Sequence, residues 1–314
     1  MKPASWLMLA AITASGNAFA QNYPAKPIRF IVGPGPDALA RVIGQKLTDA
    51  WGQPVIIDQR GGGGGTISAE AVAKAAPDGY TLLLATGTHT INPSLYKVSY
   101  DMVRDFAPVT LLASTPFILA VHPSVPANSV GELIALAKSK PGALNYGSGG
   151  SGTPPHLATE LFKTMAGVNI VHVPYKTVAA AITDLIAGQL QVMFTVGPAG
   201  LPQIRAGRIR GLAVSTAKRS AFAPELPTVA EAGLPGFDVF GWNGLLAPAG
   251  TPKPVIVKLH DEIVKALGLQ EVRERIATFG FEPVGNTPGE FGEFVKADIV
   301  QWARVAKESG ARVD

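Results

Sequence analysis

The sequence predicts an α/β protein whose two lobes face each other across a cleft. Buried strand patterns alternate with helical patterns through the first third and the middle of the chain, which is typical of βαβ units and a mostly parallel sheet. Two further strand patterns, within 106–121 and 241–248, bracket the middle of the chain and connect it to both ends. Ligands of such sheets bind at the carboxyl ends of the strands, so we expect a hinged binding cleft between the lobes.

The two crossing segments set the predicted domain boundaries. We expect residues 121–222 to form an inserted domain 2, and residues 21–120 together with 223–314 to form a discontinuous domain 1. Residues 1–20 have the pattern of a signal peptide, with a positive charge at Lys2, an apolar run and an A-x-A cleavage site that ends at Ala20. We therefore expect cleavage after Ala20 and export of the mature chain.

The first third of the chain carries three predicted strands, at 28–32, 55–57 and 80–84. Apolar residues at helical spacing predict a helix that begins near Leu39 and ends near Trp51. A second helix is predicted at 66–76. We expect residues 86–90, which follow the third strand, to lie in a polar loop that continues past Asn92 and Pro93.

The remaining elements continue the alternation of strands and helices. A capping box at Ser129 and Glu132 opens a helix, and a Gly/Ser loop at 145–153 precedes a further helix that begins at His156. Strands are predicted at 168–173, 190–195 and 212–215. Two helices close the chain, and the second begins with a capping box at 287–290.

Composition excludes several classes of site. The 314 residues are 47% hydrophobic and 16% charged, with a formal net charge of +4 and no cysteine. Disulfides, thiolate metal sites and a cysteine nucleophile are therefore excluded. The basic residues do not cluster with aromatics, so we expect no nucleic-acid partner. The five histidines lack metal-ligand spacing, so we expect no metal.

The turn after the first strand fits two interpretations. Gly33-x-Gly35-x-x-Ala38 matches a dinucleotide-binding fingerprint, and Asp58 stands where an acid would bind the ribose. However, the two prolines at 34 and 36 remove N–H donors from that turn, so we expect no cofactor. The turn either offers the following helix start to a carboxylate or is a purely structural turn with Asp37 as the N-cap.

The Gly/Ser loop at 147–153 is the best anion-binding candidate from the residues alone. Its hydroxyls and glycine amides stand beside a predicted helix start. His156 lies close to this serine-containing loop, as a serine hydrolase would require, but the G-x-S-x-G pattern fails at Thr153. The five glycines at 61–65 form either a flexible surface turn or a close backbone approach to a ligand or the other lobe.

Three single residues remain as candidates. His89 follows the third strand and could line the cleft. Lys176 is a cation in a strand-end loop, where it either neutralises a ligand carboxylate or is simply solvated. Trp242 lies in a crossing strand, where it either stacks on a ligand or packs at the hinge.

Motifs along the whole mature chain carry a family resemblance. They occupy residues 23–29, 37–41, 75–83, 91–96, 105–109, 144–148, 172–176, 227–233 and 244–252. On these motifs the chain closely resembles the substrate-binding proteins of tripartite tricarboxylate transporters, the Bug-type periplasmic receptors. The resemblance implies a type II periplasmic-binding fold, with two α/β lobes joined by two crossing strands around a ligand cleft.

The resemblance also implies a function and a set of ligand contacts. Family ligands include di- and tricarboxylates, acidic amino acids and aromatic acids, and a membrane permease or a sensor kinase receives the loaded receptor. We expect a monomer in the periplasm. By position, the ligand contacts would be Gly33, Pro34, Gly35, Asp37, Thr88, His89, Ser148, Gly149, Gly150, Ser151, Thr153, Tyr175, Lys176, Thr195 and Trp242.

The chain departs from the family pattern inside this predicted pocket. Its first loop is shorter, Thr177 replaces a common glycine, and Thr195 replaces a frequent acidic residue. We expect a solute receptor without catalytic activity. The alternative is a secreted α/β enzyme, either nucleotide-dependent or a serine hydrolase.

Overall fold

A mixed sheet runs through both lobes of the molecule. The computed structural model describes residues 23–33 and 37–311, so the predicted signal peptide, its cleavage site and the candidates Pro34 and Gly35 lie outside the described residues. The described strands are β1 (Ile28–Val32), β2 (Val55–Gln59), β3 (Thr81–Thr86), β4 (Phe106–Val121), β5 (Asn145–Ser148), β6 (Val171–Pro174), β7 (Val192–Val196), β8 (Arg210–Val214), β9 (Phe240–Pro248) and β10 (Glu282–Pro283).

Helices follow most of the strands. They are α1 (Ala38–Trp51), α2 (Thr66–Ala73), α3 (Gly87–Leu95), α4 (Val130–Ser139), α5 (Pro154–Ala166), α6 (Val178–Ile186), α7 (Gly197–Arg205), α8 (Lys253–Gly268), α9 (Gln270–Thr278) and α10 (Pro288–Ser309). In the described ranges, no helix has the length and apolar content needed to cross a membrane. Up to residue 311, where the description of the chain ends, three helices follow β9 instead of the predicted two.

The strand order is β2-β1-β3-β9-β4-β7-β5-β6, with β8 and β10 also paired to β4. In the first lobe, β1 pairs in parallel with β2 and β3. In the second lobe, β5 pairs in parallel with β6 and β7. The carboxyl ends of the parallel strands therefore lie at one edge in each lobe, as the strand–helix alternation predicts.

Strand β4 joins the two lobes. Its residues from Phe106 to Pro116 pair with β9, whereas those from Phe117 to Val121 pair with β7 and β8. The change of partner comes directly after Pro116, which has no N–H to donate to a ladder. The crossing segment predicted within 106–121 thus forms one 16-residue strand. The exact domain boundaries stay a prediction.

The last helix contributes to the cores of both lobes. Near its start, Phe291 and Val295 pack with Leu83 and Leu246 of the first lobe. Near its end, Trp302 packs in a cluster that includes Phe194 of the second lobe. Helix α10 also contacts α3, α5 and β4. Helix α10 therefore connects the two lobes by packing in the core of each.

The predicted polar loop at 86–90 is wrong, because Thr86 ends β3 and residues 87–90 begin helix α3. The main-chain N–H of Thr86 donates to Nδ1 of His89 at 3.0 Å, which closes the first turn. Pro93 lies inside the helix and cannot donate to the main-chain oxygen of His89. The hydroxyl of Tyr100 donates to that oxygen instead, at 3.3 Å.

Candidate functional site

The turns after β1, β2 and β3 meet at the edge of the first lobe. A Cβ added to Gly33 would lie 3.0 Å from Oγ of Ser68 and 3.6 Å from both Cα of Gly65 and Cε1 of His89. A side chain at position 33 would therefore press directly on Ser68. Half-buried Thr88 lies in the first turn of α3, beside this group. The structure thus brings Gly33, Thr88 and His89 together.

His89 holds this edge in place. Its side chain is 1% exposed, and Nδ1 accepts the N–H of Thr86, so the ring hydrogen is assigned to Nε2. Nε2 lies 3.2 Å from Oγ of Ser68, which donates to the main-chain oxygen of Gly65 at 2.7 Å. Burial lowers the pKa of His89 to about 4, so the ring is neutral at pH 7. Its predicted ligand contact stays a prediction.

The glycine run at 61–65 is bonded to neighbouring side chains. Its last three residues, Gly63–Gly65, form a 3₁₀ turn that leads into α2, and Gly64 and Gly65 have positive φ angles of 61° and 96°. Asn92 donates from Nδ2 to the oxygen of Gly64 at 2.9 Å. Ser68 and Asn92 were not identified as site residues from the sequence. Only Ser68 could have been found from local spacing, because it lies three residues after Gly65, within reach of that residue's main-chain oxygen.

Asp37 stands at the N-cap position of α1 but its side chain does not cap the helix. Its carboxylate instead accepts a hydrogen bond from Nη2 of Arg41 at 2.6 Å, and this bond is the main cause of its lowered pKa. Asp37 thus occupies the predicted N-cap position, but its side chain makes no capping bond. Asp58 is likewise paired, with Arg29 and Arg60, so the acid of the apparent dinucleotide fingerprint already has two cationic partners.

The Gly/Ser loop of the second lobe is tied to two histidines. Oγ of Ser148 lies 2.7 Å from Nε2 of His172 and accepts the N–H of Gly150. Gly152 donates its N–H to Nδ1 of His156 at 3.1 Å. The two imidazole rings stack with centroids 4.1 Å apart. Burial, followed by the effects of His172 and Lys163, lowers the pKa of His156 to about 3.

The other predicted residues of this loop differ in accessibility. Ser148 is fully buried, so its hydroxyl is not presented to a substrate as a nucleophile would be. Thr153 donates its hydroxyl to the oxygen of Gly150 at 2.8 Å. Gly149 packs against the start of α6, where a Cβ would lie 2.8 Å from Cγ2 of Val178. Gly150 and Ser151 are half-buried at the tip of the loop.

Tyr175 and Lys176 follow β6 beside the Gly/Ser loop. The N–H of Tyr175 donates to the oxygen of Ser148 at 3.1 Å. Its hydroxyl donates to Asp184 at 2.6 Å, and burial together with this bond raises the pKa of Tyr175 to about 12. Lys176 is exposed, and it forms no ion pair with any residue in the described ranges. It is therefore a cation that a ligand can reach.

Thr195 and Trp242 are both buried. Thr195 lies under helix α7, so close that a Cβ on Gly200 would be 2.1 Å from its methyl group. Trp242 is 3% exposed and donates from Nε1 to Asp298 at 3.1 Å. Its ring packs edge-on against Phe291 and Phe294, which corresponds to the hinge-packing alternative.

Helix starts from the two lobes approach each other across the cleft. A Cβ on Gly87, the first residue of α3, would lie 3.4 Å from Cγ of Pro154, the first residue of α5. The N-cap residues of α2, α5 and α7 make no side-chain capping bond. Helix starts carry partial positive charge, and the first turn of α3 also has main-chain N–H groups, whereas Pro154 and Pro155 at the start of α5 have none. This arrangement favours a small anion beside the two helix starts. Among the described residues, no group of three histidine or carboxylate side chains could hold a metal.

The fold and the facing helix starts define a two-lobed solute-binding protein. A family model described as the tripartite tricarboxylate transporter family receptor matches residues 39–311. Protein BugT of Bordetella pertussis is 37% identical over 301 residues, which cover 94% of this chain and 92% of BugT. The chain therefore belongs to the tripartite tricarboxylate transporter receptor family.

Solved structures agree with this assignment. The structure of R. palustris Rpa4515 with adipate has a TM-score of 0.81 and 38% identity, and covers 93% of this chain and 100% of that one. MatC from Rhodopseudomonas palustris with bound malate has a TM-score of 0.76 and 31% identity, with coverage of 90% and 99%. The predicted periplasmic-binding fold is thus confirmed, and these relatives give no support to the enzyme alternative.

Proposed function

We propose that this protein is a periplasmic receptor that captures a small dicarboxylate in the cleft between its lobes. It passes the ligand to the membrane subunits of a tripartite tricarboxylate transporter, or to a sensor kinase, and catalyses no reaction. The export pattern of residues 1–20 supports the periplasmic location. The family membership supports the transporter partner.

The facing helix starts of α3 and α5 are the observation that carries the proposal. The start of α3 offers main-chain N–H groups and partial positive charge. Helix α5 begins with Pro154 and Pro155, which have no N–H, so the second lobe offers the partial positive charge of that helix start and the neighbouring Gly/Ser loop. Each lobe can therefore bind one carboxylate of a short diacid. Adipate and malate, found in Rpa4515 and MatC, are both diacids. Thr88 and the tip of the Gly/Ser loop, Gly150 and Ser151, are the proposed polar contacts. Lys176 adds a cation at the rim.

The test is a ligand screen on the chain from residue 21 to its end. Adipate and malate should each raise the melting temperature in a concentration-dependent way, and calorimetry should give one site per chain. Adipamide has the length of adipate without its charges, so it is the matched control and should give no shift. NAD is also tested, because a nucleotide-dependent enzyme is the alternative interpretation. A shift with NAD and none with any carboxylate would overturn the proposal.

Lys176 provides a second test of the site. We expect Lys176→Gln to weaken diacid binding several-fold and to reduce its dependence on salt, because one exposed cation is lost. Lys138→Gln is the matched control, since Lys138 is an exposed lysine on α4 and not in a strand-end loop. Equal affinities for the two variants would remove Lys176 from the site.

A further inference from the structure

Asp298 on helix α10 is a buried carboxylate that receives three hydrogen bonds. Its side chain is 7% exposed. Oδ2 accepts from Oγ1 of Thr90 at 2.5 Å and from Nε1 of Trp242 at 3.1 Å, and Oδ1 accepts from Nε1 of Trp302 at 2.9 Å. Within the described ranges it has no cationic partner. Burying a carboxylate costs free energy unless hydrogen bonds replace those to water. The three donors must therefore be held in fixed positions around Asp298.

The three donors come from different parts of the fold. Thr90 belongs to α3 of the first lobe, Trp242 to the crossing strand β9, and Trp302 to the end of α10. The ring of Trp302 packs in the core of the second lobe, whereas that of Trp242 packs in the cluster around Phe291. Asp298 therefore lies where the two cores, the crossing strand and a cleft helix meet.

Two of these contacts lead to the candidate site. Oγ1 of Thr90 also lies 2.8 Å from the main-chain oxygen of Gly87, in the first turn of α3. Nε1 of Trp242 lies 3.4 Å from the position of a Cβ on Gly87. Gly87 is the residue that faces Pro154 across the cleft, and Thr88 follows it. Thr90 and Trp242, which both bind Asp298, thus set the orientation of this first turn.

We propose that Asp298 is a positioning residue of the binding cleft. It fixes the first turn of α3 against β9 and α10, so that the N–H groups of that turn face the ligand, and it does not itself touch the ligand. This role deepens the proposed function and rests on it for the ligand measurements. In this role Trp242 contributes to the site through its hydrogen bond to Asp298.

The principal test uses Asp298→Asn, which keeps the shape but places an NH₂ group among three donors. We expect the Kd for adipate or malate to rise tenfold or more while circular dichroism shows a folded protein. Glu293→Gln is the matched control, because Glu293 lies on the same helix and its side chain is 76% exposed. An unchanged Kd in D298N would overturn the proposal.

A double-mutant cycle separates positioning from general destabilisation. Thr90→Val removes the hydroxyl that links α3 to Asp298, together with its contact to the oxygen of Gly87, so it serves if D298N does not fold. We expect the effects of T90V and D298N on Kd to be non-additive, since both break the same link. Additive effects, as two independent losses of stability would give, would contradict the proposal.

A ligand-free measurement keeps this inference distinct from the proposed function. Amide hydrogen exchange at residues 87–90 should be faster in D298N or T90V than in wild type and E293Q, with other segments of the first lobe little changed. If no diacid binds wild type, the proposed function fails while this exchange result still decides the local role of Asp298. Equal exchange at 87–90 in all variants would overturn that role.

Discussion

Tyr100 donates its hydroxyl to the main-chain oxygen of His89, the carbonyl that Pro93 leaves without a helical donor. This bond allows a proline inside α3 without an unpaired buried carbonyl. It also links the segment after α3 to the helix turn that bears Thr88. The first prediction tests this relationship.

Tyr100→Phe should lower the free energy of unfolding by about 1–3 kcal/mol, because a buried acceptor loses its donor. Urea denaturation measures the change. Pro93→Ala restores a main-chain N–H four residues after His89, so it should recover part of the loss in the double variant. A Y100F protein as stable as wild type would show that this bond is dispensable.

Gly200→Ala should destabilise the protein by about 1–3 kcal/mol, since its Cβ would overlap the methyl group of Thr195. Thr195→Ala in the same chain removes that methyl group and should restore part of the stability. Gly268→Ala is the control, because a Cβ there meets no atom within 4 Å. Thermal denaturation of the four proteins provides the comparison. Similar losses in G200A and G268A would contradict the predicted overlap.

His156 should make folding sensitive to acid. Burial holds its folded pKa at about 3, below the ordinary value near 6.5, so the unfolded chain binds a proton that the folded protein does not. Its stabilising contribution is therefore complete above pH 6.5 and is lost as the pH falls towards 3, by up to about 1.4 kcal/mol per pH unit. Urea denaturation between pH 6.5 and 4.5 should show a shallower fall in His156→Gln than in wild type. Parallel curves would refute this assignment.

Asp298 should have the opposite pH dependence. Burial raises its pKa to about 6, so the folded protein retains a proton that the unfolded chain has already lost. Its contribution to stability is complete below pH 4 and is lost as the pH rises through 6. The stability of D298N relative to wild type should therefore increase from pH 4 to pH 7, as measured by denaturation at both values. A pH-independent difference would show that this carboxyl titrates normally.

Local sequence patterns predicted most of the fold. The alternation of strands and helices, the two crossing segments and the capping box of the last helix are encoded in consecutive residues, and each is found in the structure. The start of α3 was missed because its polar residues and Pro93 resemble a loop. The donor that compensates for Pro93 belongs to Tyr100, outside the helix, and no helical pattern includes it.

The site was less predictable, because its supporting contacts also come from residues outside the local sequence pattern. The loops at the strand ends could be located from glycines and hydroxyl residues, but the residues that hold them could not. Asp37 was expected to cap α1, yet Arg41 one turn later competes for its carboxylate. Thr90 and Trp242 are 208 and 56 positions away from Asp298, so no spacing rule connects them.

Helix α10 has a consequence for how the chain matures. Its 22 residues lie near the carboxyl terminus, yet Phe291 and Trp302 complete cores in different lobes. A chain that is still emerging from the ribosome therefore lacks part of both cores until this helix has been synthesised. Neither lobe can therefore complete its core before this last helix is present, so the two lobes finish folding together rather than in the order of synthesis.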